Sequence, residues 1–230
     1  MPLPATPQIT ILENGPYLVS GNVPIEIAEI TTDEAGESLA WRDLRAIEAS
    51  ARYALCRCGR SANKPFCDGT HATIAFDGTE TASRAPYAEQ AKTIDGPTMV
   101  LQDAPDLCSY ARFCDRAGTV WGLIEKSDEP GARDLIVAET TNCPSGRLTA
   151  RDRGGAAIEP DFPASIVVTE DPAKGTGGPL WVRGGIPLRS HDGRDYETRN
   201  RVTLCRCGAS KNKPFCDGSH DETGFSDGLI

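Results

Sequence analysis

The sequence predicts a mostly β protein with short helices, an α+β fold in which two repeated units flank a third segment unlike either. Three observations carry that expectation. The string CRCGRSANKPFCDGTH, starting at Cys56, returns as CRCGASKNKPFCDGSH, starting at Cys205. Upstream of each copy lie β-branched, alternating stretches bounded by turn residues, the pattern of paired strands. The 230 residues include 23 glycines and 17 prolines, enough for many turns but below the level of a disordered chain.

Each unit reads in the same order. The first opens on QITILENG, a strand running into a turn, and continues with GPYLVSGNVPI from Gly15 to Ile25. The second opens on SIVVTEDPAKGTGG and continues with GPLWVRGGIPL from Gly178 to Leu188, sharing Gly, Pro, Val, Gly and Pro with its counterpart. Aligned from Arg52 and Arg201, the copies agree at 15 of 20 positions, and Phe76 and Phe225 each lie five residues beyond the histidine. They differ where loops differ. Pro24 to Cys56 spans 32 residues, whereas Pro187 to Cys205 spans 18. The extra stretch, EAGESLAWRDLRAIEAS, fits a short helix or an interrupted strand, and periodicity does not separate the two. DPAKGTGG lacks the ordered Gly-Lys-Ser/Thr of a phosphate loop and reads as a hairpin turn. Two homologous units in one chain predict a pseudo-two-fold arrangement, a dimer made covalent and therefore a monomer. The expected segments are residues 1–98, 99–152 and 153–230.

The formal charge of −9 and pI of about 4.9, with no Lys/Arg block, argue against nucleic acid and anionic membranes as partners. The N-terminal MPLPATPQIT lacks the basic and apolar regions of a secretory signal. No run approaches the roughly 18 apolar residues of a membrane span. The expected location is the cytoplasm, where the nine cysteines read as metal ligands or reactive thiols rather than disulfides.

The repeated spacing is that of a metal site. Cys56 and Cys58 are two apart, so a looped backbone can turn both sulfurs to one metal; Cys205 and Cys207 repeat this. Cys67 and His71, like Cys216 and His220, are four apart, one helical turn. Pro65 and Pro214 suit the first turn of that helix. Gly69 and Gly218 allow close backbone approach there. Two of the three histidines occupy equivalent positions; the third, His191 in SHDGRD, reads as a solvated loop residue. Three cysteines and a histidine would also make a structural zinc site, and a zinc-binding interaction module is the competing reading. The grouping into unlike pairs, Cys/Cys and Cys/His, suits two irons better than the paired knuckles of a zinc finger.

These strings resemble the CDGSH iron–sulfur domain, the mitoNEET-type family, whose name Cys216 to His220 spell; the first copy has Thr70 in place of serine. The resemblance implies a [2Fe–2S] cluster in each copy. Cys56 with Cys58, and Cys205 with Cys207, would hold the inner iron. Cys67 with His71, and Cys216 with His220, would hold the outer one. Imidazole in place of a thiolate removes a negative charge and raises the potential, and its second nitrogen is free to exchange a proton. Arg57, Arg206, Lys64 and Lys213 flank the ligands, either as counter-charges or as ordinary surface cations.

Cys108, Cys114 and Cys143 remain. CSYARFC followed by Cys143-Pro144 resembles the divergent single-cluster ferredoxin domain, with Ala111 where a bacterial ferredoxin has its middle cysteine. That resemblance implies a third cluster, [3Fe–4S] or [4Fe–4S]; the alternative is three inert buried thiols. No nucleotide fingerprint or nucleophile elbow points to an enzyme. The expected role is electron transfer, redox sensing, or cluster storage and transfer, with a redox partner or cluster-acceptor protein.

Overall fold

A computed structural model describes residues 6–229. The first unit contributes β1 (Gln8–Ile11), β2 (Tyr17–Ser20), β3 (Ile25–Thr32), β4 (Ser38–Ile47) and β5 (Arg52–Leu55). The second contributes β9 (Ser165–Asp171), β10 (Thr176–Arg183), β11 (Leu188–Arg189) and β12 (Arg201–Leu204). Between them β6 (Lys92–Asp95), β7 (Met99–Asp103) and β8 (Leu148–Asp152) form a three-stranded antiparallel sheet. The helices are short: α1 (Thr70–Thr73), α2 (Tyr87–Gln90), α3 (Val120–Ile124), α4 (Ala132–Asn142) and α5 (Ser219–Glu222). The fold is mostly β, as the alternating stretches predict.

The two units exchange strands. One sheet runs β11-β1-β2-β5 and the other β12-β10-β9-β3-β4. Each unit's first two strands form an antiparallel hairpin, and the strand beyond the shared proline crosses to the other unit. There β11 pairs in parallel with β1 (Ile9 opposite Leu188), and β3 pairs in parallel with β9 (Ile25 opposite Ile166). The registers are mutual equivalents, so the expected pseudo-two-fold is built by reciprocal exchange. The inward side chains Ile9, Ile11, Val19, Ile25 and Ile27 meet Ile166, Val168, Leu180, Val182 and Leu204 in one shared core. Each fully buried aliphatic side chain contributes on the order of 1.5–3 kcal/mol, and this core forms only when both units are present.

The stretch left open between helix and strand is strand. β4 pairs with β3 through two register shifts, which are its interruptions. Its Trp41 stacks between Phe113 and Trp181, and its indole N–H donates to the carbonyl of Asn142 at 3.0 Å. The residues that lengthen the first copy thus dock the middle segment. DPAKGTGG is the β9–β10 hairpin turn, with Gly175 in the left-handed region at φ 65°. The third sheet starts at Lys92, upstream of the boundary expected at 99, because β6 pairs with β7 rather than with the first unit. Its core is Met99, Leu101, Leu148 and Ala150 against Val120, Ile124 and Ile136. Among the described residues no helix is long and apolar enough to cross a membrane.

Candidate metal centres

Each repeated string closes on itself as a loop. Leu55 bridges Phe66, the Cys56 amide donates to the Pro65 carbonyl at 2.8 Å, and the Cys67 amide donates to Ala54 at 2.8 Å. In the second unit Leu204 bridges Phe215, Cys205 donates to Pro214 at 2.9 Å, and Cys216 donates to Thr203 at 2.9 Å. Backbone pairing thus brings the Cys/Cys end beside the Cys/His end. The aspartate of the string fastens the loop: Asp68 accepts from the amides of Ala62 and Thr70, and Asp217 from those of Lys211 and Ser219. Hydrogen bonds from Thr70 and then the Ala62 amide hold the Asp68 carboxyl far below its usual range.

The prolines are not at the helix start. Pro65 and Pro214 follow cis peptide bonds inside the loop, where their carbonyls receive the cysteine amides. The helical turn begins later, at Thr70 and Ser219, after Gly69 (φ 91°) and Gly218 (φ 89°). Those glycine amides donate to the cysteine sulfurs, at 3.4 Å for Cys67 and 3.5 Å for Cys216.

The ligand geometry separates into pairs. Cys56 Sγ lies 3.8 Å from Cys58 Sγ, and Cys205 Sγ 3.7 Å from Cys207 Sγ. A tetrahedral metal with bonds of about 2.3 Å to sulfur needs its sulfurs roughly 3.8 Å apart. Cys67 Sγ is 3.3 Å from His71 Nδ1, and Cys216 Sγ is 3.3 Å from His220 Nδ1, slightly tighter than a shared metal requires. Nδ1 is therefore the nitrogen that faces the sulfur. Among the described residues, no three Cys, His, Asp or Glu side chains converge on a point one ion could hold. Each loop therefore offers two separate donor pairs, which would suit two bridged metals.

Burial raises the Cys58, Cys67 and Cys216 thiols, so these sulfurs favour a proton or a metal over a free thiolate. Cys205 is the exception, pushed down to about 6 chiefly by a hydrogen bond from Cys207, whose own thiol is raised. Burial, then the Arg206 charge, holds free His220 down at about 4.

Neither arginine is a surface cation. Arg57 and Arg206 are 2% and 3% exposed and point into the core beneath the loops. Arg206 donates to Gly178 and Thr169 carbonyls at 2.6 and 2.9 Å and pairs with Glu170 and Asp227. Arg57 has carbonyl partners, Leu12 and Gly78, and lies over Tyr17 and Phe76. Lys64 and Lys213 donate back to the Ser61 and Ser210 carbonyls, at 2.7 and 2.6 Å, and so brace their own loops. His191 is also more than a loop residue: its Nδ1 meets buried Glu80 at 2.7 Å. Burial would raise Glu80, but bonds from His191, Tyr196 and Ser190 outweigh it and hold it low.

Three features of the centres escaped sequence reasoning. Gly59 and Gly208, each directly after the second cysteine, touch across the pseudo-axis. A Cβ at Gly59 would collide with the Cys207 carbonyl, and one at Gly208 would lie 2.6 Å from that of Cys58. Their recurrence in both copies was the available signal. Tyr17 reaches across as well, its hydroxyl donating to the Cys205 and Pro214 carbonyls at 2.9 and 3.0 Å. Its equivalent is a leucine, so the repeat carried no hint. The third feature is Tyr110, whose ring occupies the space a Cβ at Gly218 would need.

Cys108, Cys114 and Cys143 come together. All three line one small hollow with Ala111, Pro144 and Arg147. Tyr110 (φ 57°) and Arg112 (φ 60°) take left-handed conformations on either side of Ala111. Burial raises Cys114 far above an ordinary thiol, with the charges of Asp115 and Cys143 adding to it.

Residues 14–72 and 177–221 match the family model described as iron-binding zinc finger, CDGSH type. The chain carries two CDGSH-type iron-binding domains. Residues 94–153 match a second model, divergent 4Fe-4S mono-cluster, which spans Cys108, Cys114 and Cys143. No curated protein and no solved structure matched the chain. All eight ligand candidates of the CDGSH domains lie inside the matched segments. Together the two models support an iron–sulfur binding protein.

Proposed function

We propose that this is an iron–sulfur carrier protein with one [2Fe–2S] cluster in each CDGSH domain. Its role is electron transfer, redox sensing, or cluster storage and transfer, toward a redox partner or cluster-acceptor protein, and it is not an enzyme. The observation that carries the reading is the division of each ligand set into a Cys/Cys pair and a Cys/His pair at metal-sharing distances. A bound cluster supplies one-electron chemistry. Cys56 and Cys58, or Cys205 and Cys207, would hold one side of it; Cys67 and His71, or Cys216 and His220, would hold the other. Each histidine would ligate through Nδ1, which leaves Nε2 as the nitrogen that would hold a proton. In the middle segment the three thiols that line one hollow, with Ala111 where the middle cysteine would be, would hold a third cluster, [3Fe–4S] or [4Fe–4S]. The shared core of the exchanged strands supports a monomeric chain that is its own pseudo-dimer, working without nucleic acid or membrane.

Metal and acid-labile sulfide analysis with EPR on anaerobically purified protein tests this. Cys67→Ala and Cys216→Ala are each expected to halve the CDGSH-associated iron. A Cys108→Ala, Cys114→Ala, Cys143→Ala triple variant should lose further iron and a distinct EPR signal. Zinc without sulfide would replace this reading with the zinc module. Voltammetry supplies an independent check on the histidines. His71→Cys and His220→Cys restore an all-thiolate set and should lower the potential of their own site by roughly 100 mV or more. An unchanged potential would remove imidazole from the ligand set.

A further inference from the structure

The two CDGSH centres are chemically equal and structurally unequal. In the first, Asp68 and Gly69 are exposed, Cys67 and His71 are half-buried, and nothing lies within 4 Å of the Cβ position of Gly69. In the second, Cys216 and His220 are 2% and 6% exposed, and the ring of Tyr110 covers Gly218. The cover is the Cys108–Cys114 loop of the middle segment, held by three contacts. Arg112 forms a two-pronged ion pair with Asp171. Asn212 donates to the Asp106 carbonyl at 2.7 Å. Phe215 packs against Leu107 and Ala104. The first domain has the same Asn63 and Phe66, but Asn63 is exposed, and Asn14 stands where the second domain has Asp171.

We infer that the middle segment divides the labour between the centres: the first is the site from which a cluster is handed to an acceptor, and Tyr110 makes the second a retained centre. This rests on the cluster reading proposed above. In the handover the cluster is cargo. Three iron–sulfur bonds to Cys56, Cys58 and Cys67 and one iron–nitrogen bond to His71 break. Four iron–thiolate bonds form on the acceptor, and the two irons and two sulfides move without change of oxidation state. Three of the four protons leaving the acceptor thiols pass to the three vacated thiolates, and the fourth goes to His71 or solvent. An incoming thiol must reach the outer iron, and Gly69 leaves that approach open where Tyr110 closes it at Gly218. On its inner side the second centre borders a cleft of about 440 Å³ at Cys207, lined by Gly59, Arg60 and Lys64. The outer side is where the domains differ most.

The test uses the full cluster-loaded chain, first assayed for iron and sulfide. It is mixed with excess four-cysteine plant-type ferredoxin stripped of its cluster. Timed samples are quenched with iodoacetamide, and peptide mass spectrometry reads alkylation at Cys67 and Cys216 separately. Cys67 should become reactive roughly tenfold or more faster than Cys216, because the covered site must open locally first. Tyr110→Ala should speed Cys216 severalfold and leave Cys67 unchanged. Tyr110→Phe, which keeps the ring, should leave both unchanged. Tyr110 is 51% exposed, so its truncation spares the core. Equal rates at Cys67 and Cys216 in the parent would overturn the inference without any variant. So would a Cys216 rate indifferent to Tyr110→Ala, which would assign the exit to the Cys207 cleft. Absence of sulfide in the starting assay would instead sink the cluster reading itself, and this assignment with it.

Discussion

Gly59→Ala and Gly208→Ala are each expected to destabilise the protein by about 3 kcal/mol and to lose iron from both CDGSH domains. Both glycines sit in the left-handed region, at φ 74° and 84°, where a side chain costs on the order of 1–2 kcal/mol. Each Cβ would also drive into a backbone carbonyl of the opposite domain, Cys207 or Cys58, and backbone cannot swing aside. Overpacking of that kind adds roughly 1–3 kcal/mol. For a chain of this length the melting temperature should fall by about 6–12 °C. The carbonyl struck belongs to a candidate ligand of the other domain, so the damage crosses the pseudo-axis. Gly69→Ala is the control: its φ is 91° but nothing lies within 4 Å, so only the backbone cost applies. Thermal unfolding and iron content of the three variants decide the matter. Equal losses at Gly59 and Gly69 would mean that the two ligand loops do not abut.

Arg201→Met should cost still more, about 3–5 kcal/mol, the usual penalty for removing one partner of a buried ion pair. Its guanidinium is buried and donates to the carbonyls of Thr140, Cys143 and Leu148, and it pairs with both oxygens of Glu159 at 2.7 and 2.8 Å. Arg201 thus ties the second domain to the end of α4 and to the cysteine that α4 delivers. The variant should lose any iron bound by the middle segment before that of the CDGSH domains. Arg52→Met, at the equivalent exposed position, should be within about 0.5 kcal/mol of the parent. The pair also sets a pH dependence. Burial works against Glu159, but Arg201 wins and holds its carboxyl below the ordinary value. A depressed folded pKa adds stability that is complete above the unfolded value near 4.5 and fades as pH falls through the folded one. Denaturant titrations from pH 7 to pH 3 should show that loss in the parent and less of it in Arg201→Met. Matching slopes would take the ion pair out of the account.

The pairing of the candidate ligands was legible from sequence because it is local. Each Cys/Cys and Cys/His pair is set by a spacing of two or four residues, and each loop is closed by amides and an aspartate within the same string. The strand pattern was local too, since alternation and turn residues act over a few positions. Which unit each strand joins was not. β3 and β11 carry no mark of crossing over, and only the shared core between Ile25, Ile166 and their equivalents makes exchange the better burial. Pro65 misled for a related reason: its carbonyl, not its missing N–H, is what the loop uses.

The sharpest contrast lies in residues the two copies share. Arg52 and Arg201, Asn63 and Asn212, Gly69 and Gly218 are identical letters at equivalent positions, so the sequence by itself determined two equal sets of candidate ligands. Tertiary structure decided that one set lies open and the other lies under Tyr110, and that one arginine is exposed while the other anchors α4. The physical reason is that burial and partnership depend on chain far away in sequence. A middle segment that can pack on only one side of a pseudo-two-fold breaks the symmetry that the repeat writes.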